Sequence, residues 1–109
     1  MAKIAVVEDN DAMREQLCGF IAQYARESGR QLDVTAFADG AEIVDPYRPG
    51  FDIIFLDIEM PTLGGMPTAE RIRQVDPDVV LVFVTNMAQY AIRGYEVDAL
   101  DFVLKPVSY

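Results

Sequence analysis

Histidine is absent from all 109 residues, which removes histidine-based catalytic triads and histidine metal sites from consideration. Any histidine that the chemistry needs must come from a partner. Cysteine occurs once, as Cys18, so no internal disulfide can form. That fits a reducing cytosol and predicts a cytoplasmic location. No apolar run approaches the ~18 residues of a membrane span. The N-terminus passes straight into Lys3-Ile4-Ala5-Val6-Val7, without the layout of a signal peptide. No membrane attachment is expected. Positive charge is scarce: 9 basic residues face 18 acidic ones, a net charge of −9, and Lys3 and Lys105 are the only lysines. Such a surface repels phosphate backbones, so this segment alone is a poor nucleic-acid binder.

What the chain does have is an apolar content of 51%, enough for one packed domain, arranged in short blocks. Ile4-Ala5-Val6-Val7 reads as a first strand. Met13, Leu17, Phe20, Ile21 and Tyr24 recur at helical spacing and predict a helix from about Asp11 to Arg26, capped by Asn10 or Asp11 and ended by Gly29. Leu32–Phe37 partly alternates, as an edge strand does. Asp39-Gly40 reads as a turn, and a short helix from Ala41 to about Val44 is stopped by Pro46 and Pro49. Phe51–Leu56 is a third strand. Beyond Gly65, Pro67 suits a helix's first turn, and Ala69, Ile72 and Val75 would form its inner face. Val79–Val84 is apolar throughout, as in a strand covered on both sides. Met87 to about Tyr95 has helical composition, and Asp101–Leu104 is a fifth strand. Strands alternating with helices demand an α/β fold built on a parallel sheet with right-handed crossovers.

Polar residues that interrupt the strand ends gather at one rim of such a sheet, where open α/β folds do their chemistry. Here they are Glu8, Asp9, Asp57, Thr85 and Lys105. Asp57 closes the third strand, and Pro61 with Gly64-Gly65 forces a turn beyond it. Carboxylates crowded together raise one another's pKa unless a cation sits among them. Mg²⁺ prefers oxygen ligands and keeps several waters, so a few carboxylates and one carbonyl suffice. A carboxylate beside Mg²⁺ and an ammonium can accept a phosphoryl group as a nucleophile, giving an acyl phosphate that water hydrolyses.

Glu8-Asp9, the Asp57-x-x-Met60-Pro61 run with Gly65 eight residues after Asp57, Thr85 and Lys105-Pro106 together resemble the receiver domain of two-component response regulators. The likeness covers nearly the whole chain. It implies a flavodoxin-like (CheY-like) doubly wound sheet of five strands in the order 2-1-3-4-5, and one receiver domain over residues 1–109 that stops before or at the start of a fifth helix. By the same resemblance Asp57 is the phosphoacceptor, and Glu8, Asp9, Asp57 and the backbone carbonyl of Glu59 bind Mg²⁺. Thr85 and Lys105 hold the phosphoryl group. Thr85 and Phe102 form the switch, Pro61, Gly65 and Pro106 are structural, and the Lys105-Pro106 bond is cis. Glu8 stands where aspartate is commoner, and Phe102 has no hydroxyl, so only packing reports its position. The implied partners are a sensor histidine kinase, a second copy in a homodimer on activation, and DNA only through a C-terminal domain. Ala91–Phe102 is similar to receivers joined to LytTR-type (LytR/AgrA-like) DNA-binding domains. Without a fifth helix, one sheet face would be covered by the first helix alone and would expose an apolar patch that favours association.

Each of these residues has a plainer reading by itself. Asp57 could be a solvated strand end, Glu8-Asp9 a helix-capping acidic turn, Thr85 a strand end, Lys105 a surface charge and Phe102 ordinary core. Glu42, Asp45, Asp76 and Asp78 read as solvated acids. Two other functions use similar residues. One is a Mg²⁺-dependent phosphatase with an aspartyl intermediate, whose second acid, two residues on, would have to be Glu59. The other is an interaction module on the same fold that is never phosphorylated. Turnover of phosphate esters separates the first, and failure to bind Mg²⁺ the second.

Overall fold

β-branched and leucine-rich blocks fix where the strands lie, and the computed structural model describes residues 1–57, 62–85 and 101–104. The elements are β1 (Ala2–Val7), α1 (Asp11–Ser28), β2 (Leu32–Phe37), α2 (Gly40–Val44), β3 (Ile53–Leu56), α3 (Gly65–Val75), β4 (Val80–Thr85) and β5 (Asp101–Leu104). All pairings are parallel, and the order is β2-β1-β3-β4, with β5 beside β4. The parallel pairing is as expected from the alternation of strands and helices, and the strand order is the one implied by the receiver resemblance. The expected helix over Met87–Tyr95 lies outside the described residues.

Side chains of successive strand residues point to opposite faces, and the two faces hold separate cores. Ala5, Val7, Ile54, Leu56, Leu81 and Phe83 pack with Ile43 of α2 and Met66, Ala69 and Ile72 of α3. Val6, Val82 and Val84 pack with Leu17 of α1, flanked by Ile53, Phe55 and Val80. Among the described residues, α1 lies over β1 and β2. Next to it, a groove of about 500 Å³ is lined by Leu17, Phe20, Ile21 and Tyr24 of α1 and by Ile53 and Phe55 of β3. Tyr24, placed by its spacing on the inner stripe of α1, is 48% exposed at this groove.

The helix ends follow their local chemistry. The Asn10 side chain accepts from Met13 N at 2.9 Å and caps α1. The helix runs two residues past the expected Arg26, to Ser28, and Gly29 closes it at φ 70°, the left-handed region that glycine enters without a Cβ penalty. Asp39 is the N-cap of α2 rather than part of a free turn, and the helix begins at Gly40. In α3 the inner face is Met66, Thr68, Ala69 and Ile72. Val75, expected there, is 56% exposed because α3 ends at that residue. Asp76, read as a solvated acid, accepts a hydrogen bond from Tyr47 Oη at 2.7 Å and ties the segment after α2 to the end of α3. Burial, then the bond to Asp76, push the Tyr47 phenol well above its ordinary range.

Candidate functional site

The register of the two central strands puts the acids together. Val7 of β1 pairs with Leu56 of β3, so Glu8 and Asp57 are the next residues along neighbouring strands. Both are held by backbone bonds that continue the sheet: Glu8 N donates to Phe37 O at 3.0 Å, and Asp57 N donates to Val7 O at 2.9 Å. Glu8 is 1% exposed and Asp57 6%, whereas Asp9 is open to solvent. One carboxylate oxygen from each of Glu8, Asp9 and Asp57 lies within 4.8 Å of the other two. Glu8 Oε2 also accepts from Asn10 N at 3.2 Å, which couples the cluster to the cap of α1.

Three carboxylates this close, two of them buried, repel one another unless a cation lies among them. The donor set is oxygen only, which suits a hard divalent cation such as Mg²⁺ and not a softer metal. The residues therefore fit the group that the sequence implied. Arg14 stands at the edge of the cluster. Its Nη1 donates to Glu8 O at 2.9 Å, and its Nη2 pairs with Asp11, whose hydrogen bond raises the guanidinium pKa. Cys18, on the same helix, is half-buried, and burial pushes its thiol up, as suits a packing residue and not a reactive thiolate.

The other expected site residues are distributed as follows. Thr85 is the last residue of β4, on the strand next to β3, and pairs with Leu104. Lys105 follows Leu104 in sequence, and Lys105, Pro106, Glu59 and Pro61 lie outside the described residues. Phe102 is in β5, in register with Phe83, and its side chain likewise lies outside them. Gly65 is buried and begins α3.

Two residues near the site carry more than their sequence context suggested. One is Arg14, visible only as an i, i+3 partner of Asp11. The other is Asp39, 8% exposed, whose carboxylate accepts from Ala41 N, Thr62 N and Leu63 N, each at 2.9 Å. Burial pushes the Asp39 carboxyl up, but the three amides outweigh it and hold the pKa below the usual value. A sequence signal for its cap was present: an acid at Asp39 and another three residues on, at Glu42, is close to a capping box. In the structure Glu42 accepts from Ala38 N at 3.1 Å instead of the cap residue's own amide.

A parallel doubly wound sheet with an acid cluster at the carboxyl ends of its two central strands defines the CheY-like class of α/β proteins. The description "Response regulator receiver domain" matches residues 4–109, and the chain belongs to that family. It is 32% identical over 108 residues to the sensory transduction protein LytT of Bacillus cereus, covering 97% of this chain and 42% of LytT. It is 30% identical over 106 residues to the transcriptional regulatory protein YpdB of Escherichia coli, covering 95% of this chain and 41% of YpdB. The chain thus spans about two fifths of the length of these curated relatives. Among solved structures, the non-phosphorylated HemR receiver domain of Leptospira biflexa matches with a TM-score of 0.86 and 30% identity, over 99% of this chain and 85% of HemR's. The response regulator TrrA of Thermotoga maritima, in complex with Mg²⁺-BeF, matches with a TM-score of 0.84 and 25% identity, over 99% of this chain and 90% of TrrA's. The Glu8/Asp9/Asp57 cluster is consistent with the Mg²⁺ site of a receiver.

Proposed function

We propose that the chain is a cytoplasmic phosphoacceptor module in which Asp57 takes a phosphoryl group from the phosphohistidine of a sensor histidine kinase. The observation that carries this reading is the convergence of Glu8, Asp9 and Asp57 carboxylates within 4.8 Å at the ends of β1 and β3. An Asp57 carboxylate oxygen forms a bond to phosphorus while the phosphorus–nitrogen bond of the donor breaks, and the electron pair leaves with the imidazole nitrogen. Glu8, Asp9, Asp57 and the Glu59 carbonyl would hold Mg²⁺, which offsets charge on the transferring oxygens when bound. Thr85 and Lys105 would hold the phosphoryl oxygens from the neighbouring strands. Hydrolysis of the acyl phosphate resets the protein, so it acts as a timed signal and not as a turnover enzyme.

The added phosphate brings a charge of about −1.5 to −2 to the rim and biases a two-state equilibrium. Thr85 and Phe102 are the residues through which β4 and β5 would sense it. The output would be a homodimer interface on the β4–β5 side. That interface would serve transcription through a C-terminal DNA-binding domain of the LytTR type, consistent with relatives of more than twice this chain's length.

The test is covalent labelling. With acetyl phosphate and Mg²⁺ the protein should gain one phosphoryl group, and Asp57→Asn should gain none. Labelling that persists in the variant would place the acceptor elsewhere.

A further inference from the structure

The two acids at the end of β1 are held in different ways. Glu8 is buried, and its carboxylate accepts from Asn10 N at 3.2 Å. Asp9 is exposed, and among the described residues its carboxylate accepts no hydrogen bond. The backbone alone therefore sets its place. One peptide unit joins the two acids, with the Glu8 carbonyl at one end and the Asp9 N–H at the other, and that unit is planar. A group that fixes Glu8 O also fixes the direction in which the chain enters Asp9.

Such a group comes from α1. Arg14 Nη1 donates to Glu8 O at 2.9 Å. Arg14 lies one turn into the helix, where its N donates to Asn10 O at 2.9 Å, and its Nη2 pairs with Asp11. The Arg14 side chain is 22% exposed and that of Asp11 84%, so the pair adds little stability by itself. Its effect is orientation. With Asp11 holding one arm of the planar guanidinium, the other arm is presented to the turn. The Glu8–Asn10 turn is thus tied at three points: Glu8 N to Phe37 O at 3.0 Å, Asn10 Oδ1 to Met13 N at 2.9 Å, and Glu8 O to Arg14.

We propose that Arg14 is a positioning residue for the divalent-cation site: through Glu8 O it fixes the peptide between Glu8 and Asp9 and so holds the exposed Asp9 carboxylate within reach of Asp57. The inference rests on the phosphoacceptor reading above, which gives the three acids their cation. Its physical basis is preorganisation. A turn ordered only when the cation arrives loses conformational freedom at that moment, and a turn already tied loses less. Charge acts in the opposite sense, because a guanidinium at the rim repels a divalent cation. The two effects differ in their response to salt. At about 1 M salt the screening length is about 3 Å, so the repulsion fades while the geometric effect stays.

The experiment is titration with Mg²⁺ followed by amide chemical shifts, at low salt and at about 1 M salt. Arg14→Met keeps an unbranched stem and removes every donor. Arg14→Lys keeps the charge and one donor group. Arg26→Met is the charge-matched control, exposed in the last turn of the same helix and about 18 Å further along it. At high salt, Arg14→Met should bind Mg²⁺ about three- to tenfold more weakly than the unaltered chain. Arg14→Lys should fall between the two, and Arg26→Met should match the unaltered chain. At low salt the deficit of Arg14→Met should narrow. Without Mg²⁺, the order parameter of the Asp9 amide should drop in Arg14→Met and hold in Arg26→Met.

Equal affinity of Arg14→Met and the unaltered chain at high salt overturns the proposal. So does an Asp9 amide that stays as ordered without the guanidinium, or an equal loss of affinity in Arg26→Met. If Arg14→Met does not fold, Arg14→Gln, neutral and two bonds shorter, takes its place under the same criteria. An unaltered chain that neither binds Mg²⁺ nor takes label from acetyl phosphate overturns the phosphoacceptor reading and this inference together. Normal binding and labelling with a silent Arg14 variant overturns the inference alone.

Discussion

At the scale of single residues, the chain concentrates its cost in a few buried acids. Glu8, Asp39 and Asp57 are each less than a tenth exposed, in a chain whose other described acids face solvent at least in part. A buried carboxylate persists only where donors or a cation stabilise it. For Asp39 the donors are three backbone amides, and they lower its pKa. A group whose folded pKa lies below its unfolded value, about 4 for aspartate, contributes stability in full above that unfolded value. The contribution is lost as the pH falls through the folded pKa. Acid titration of the unfolding midpoint should therefore show a decline below about pH 4 that is shallower in Asp39→Asn, which has no proton to gain there. Equal acid slopes in the two proteins would mean that other carboxylates account for the decline.

At the scale of elements, short helices and strands take their positions from their ends. The five residues of α2 are too few to form a stable helix in isolation. Its place is set by the Asp39 cap and by the contact of Gly40 with Leu63 O and Thr68. Gly40→Ala would drive a methyl group into a backbone carbonyl and a buried hydroxyl. The expected cost is about 1–3 kcal/mol or more, measured as a drop in the urea midpoint with an unchanged slope. This junction was not legible in the sequence, where Asp39-Gly40 reads equally well as a free turn. The glycine is required by a neighbour more than twenty positions away, and no local pattern encodes that neighbour. By contrast, the ends of α1 were legible, because Asn10 and Gly29 act on amides and carbonyls within their own turn.

At the scale of the whole molecule, the parallel sheet carries a core on each face, and the described residues cover the two faces unequally. The α2–α3 face is closed by Ile43, Met66, Ala69 and Ile72, while the α1 face leaves Ile53 and Phe55 partly buried along an apolar groove. The sheet also delivers its acids to one rim, so binding a cation there should stabilise the entire fold. Free Mg²⁺ at a hundred times its dissociation constant is worth about 2.7 kcal/mol, which is roughly 10–20 °C in a domain of this size. A chelator should return the melting temperature to its starting value, and Asp9→Asn should respond less than the unaltered chain. A melting temperature indifferent to Mg²⁺ would count against a cation at this rim.

The sequence by itself determined the alternation of strands and helices, the caps of α1 and the identity of the acids at the strand ends. These follow from periodicity and from interactions spanning a few residues. The tertiary structure decided which acids meet. Glu8 and Asp57 are 49 positions apart and become neighbours only because β1 and β3 pair in the register of Val7 with Leu56. It also decided that Asp39 serves two masters and that Asp76 is a partner of Tyr47. Such contacts arise from how separate elements pack, and packing is a property of the assembled layers and not of any one stretch of chain.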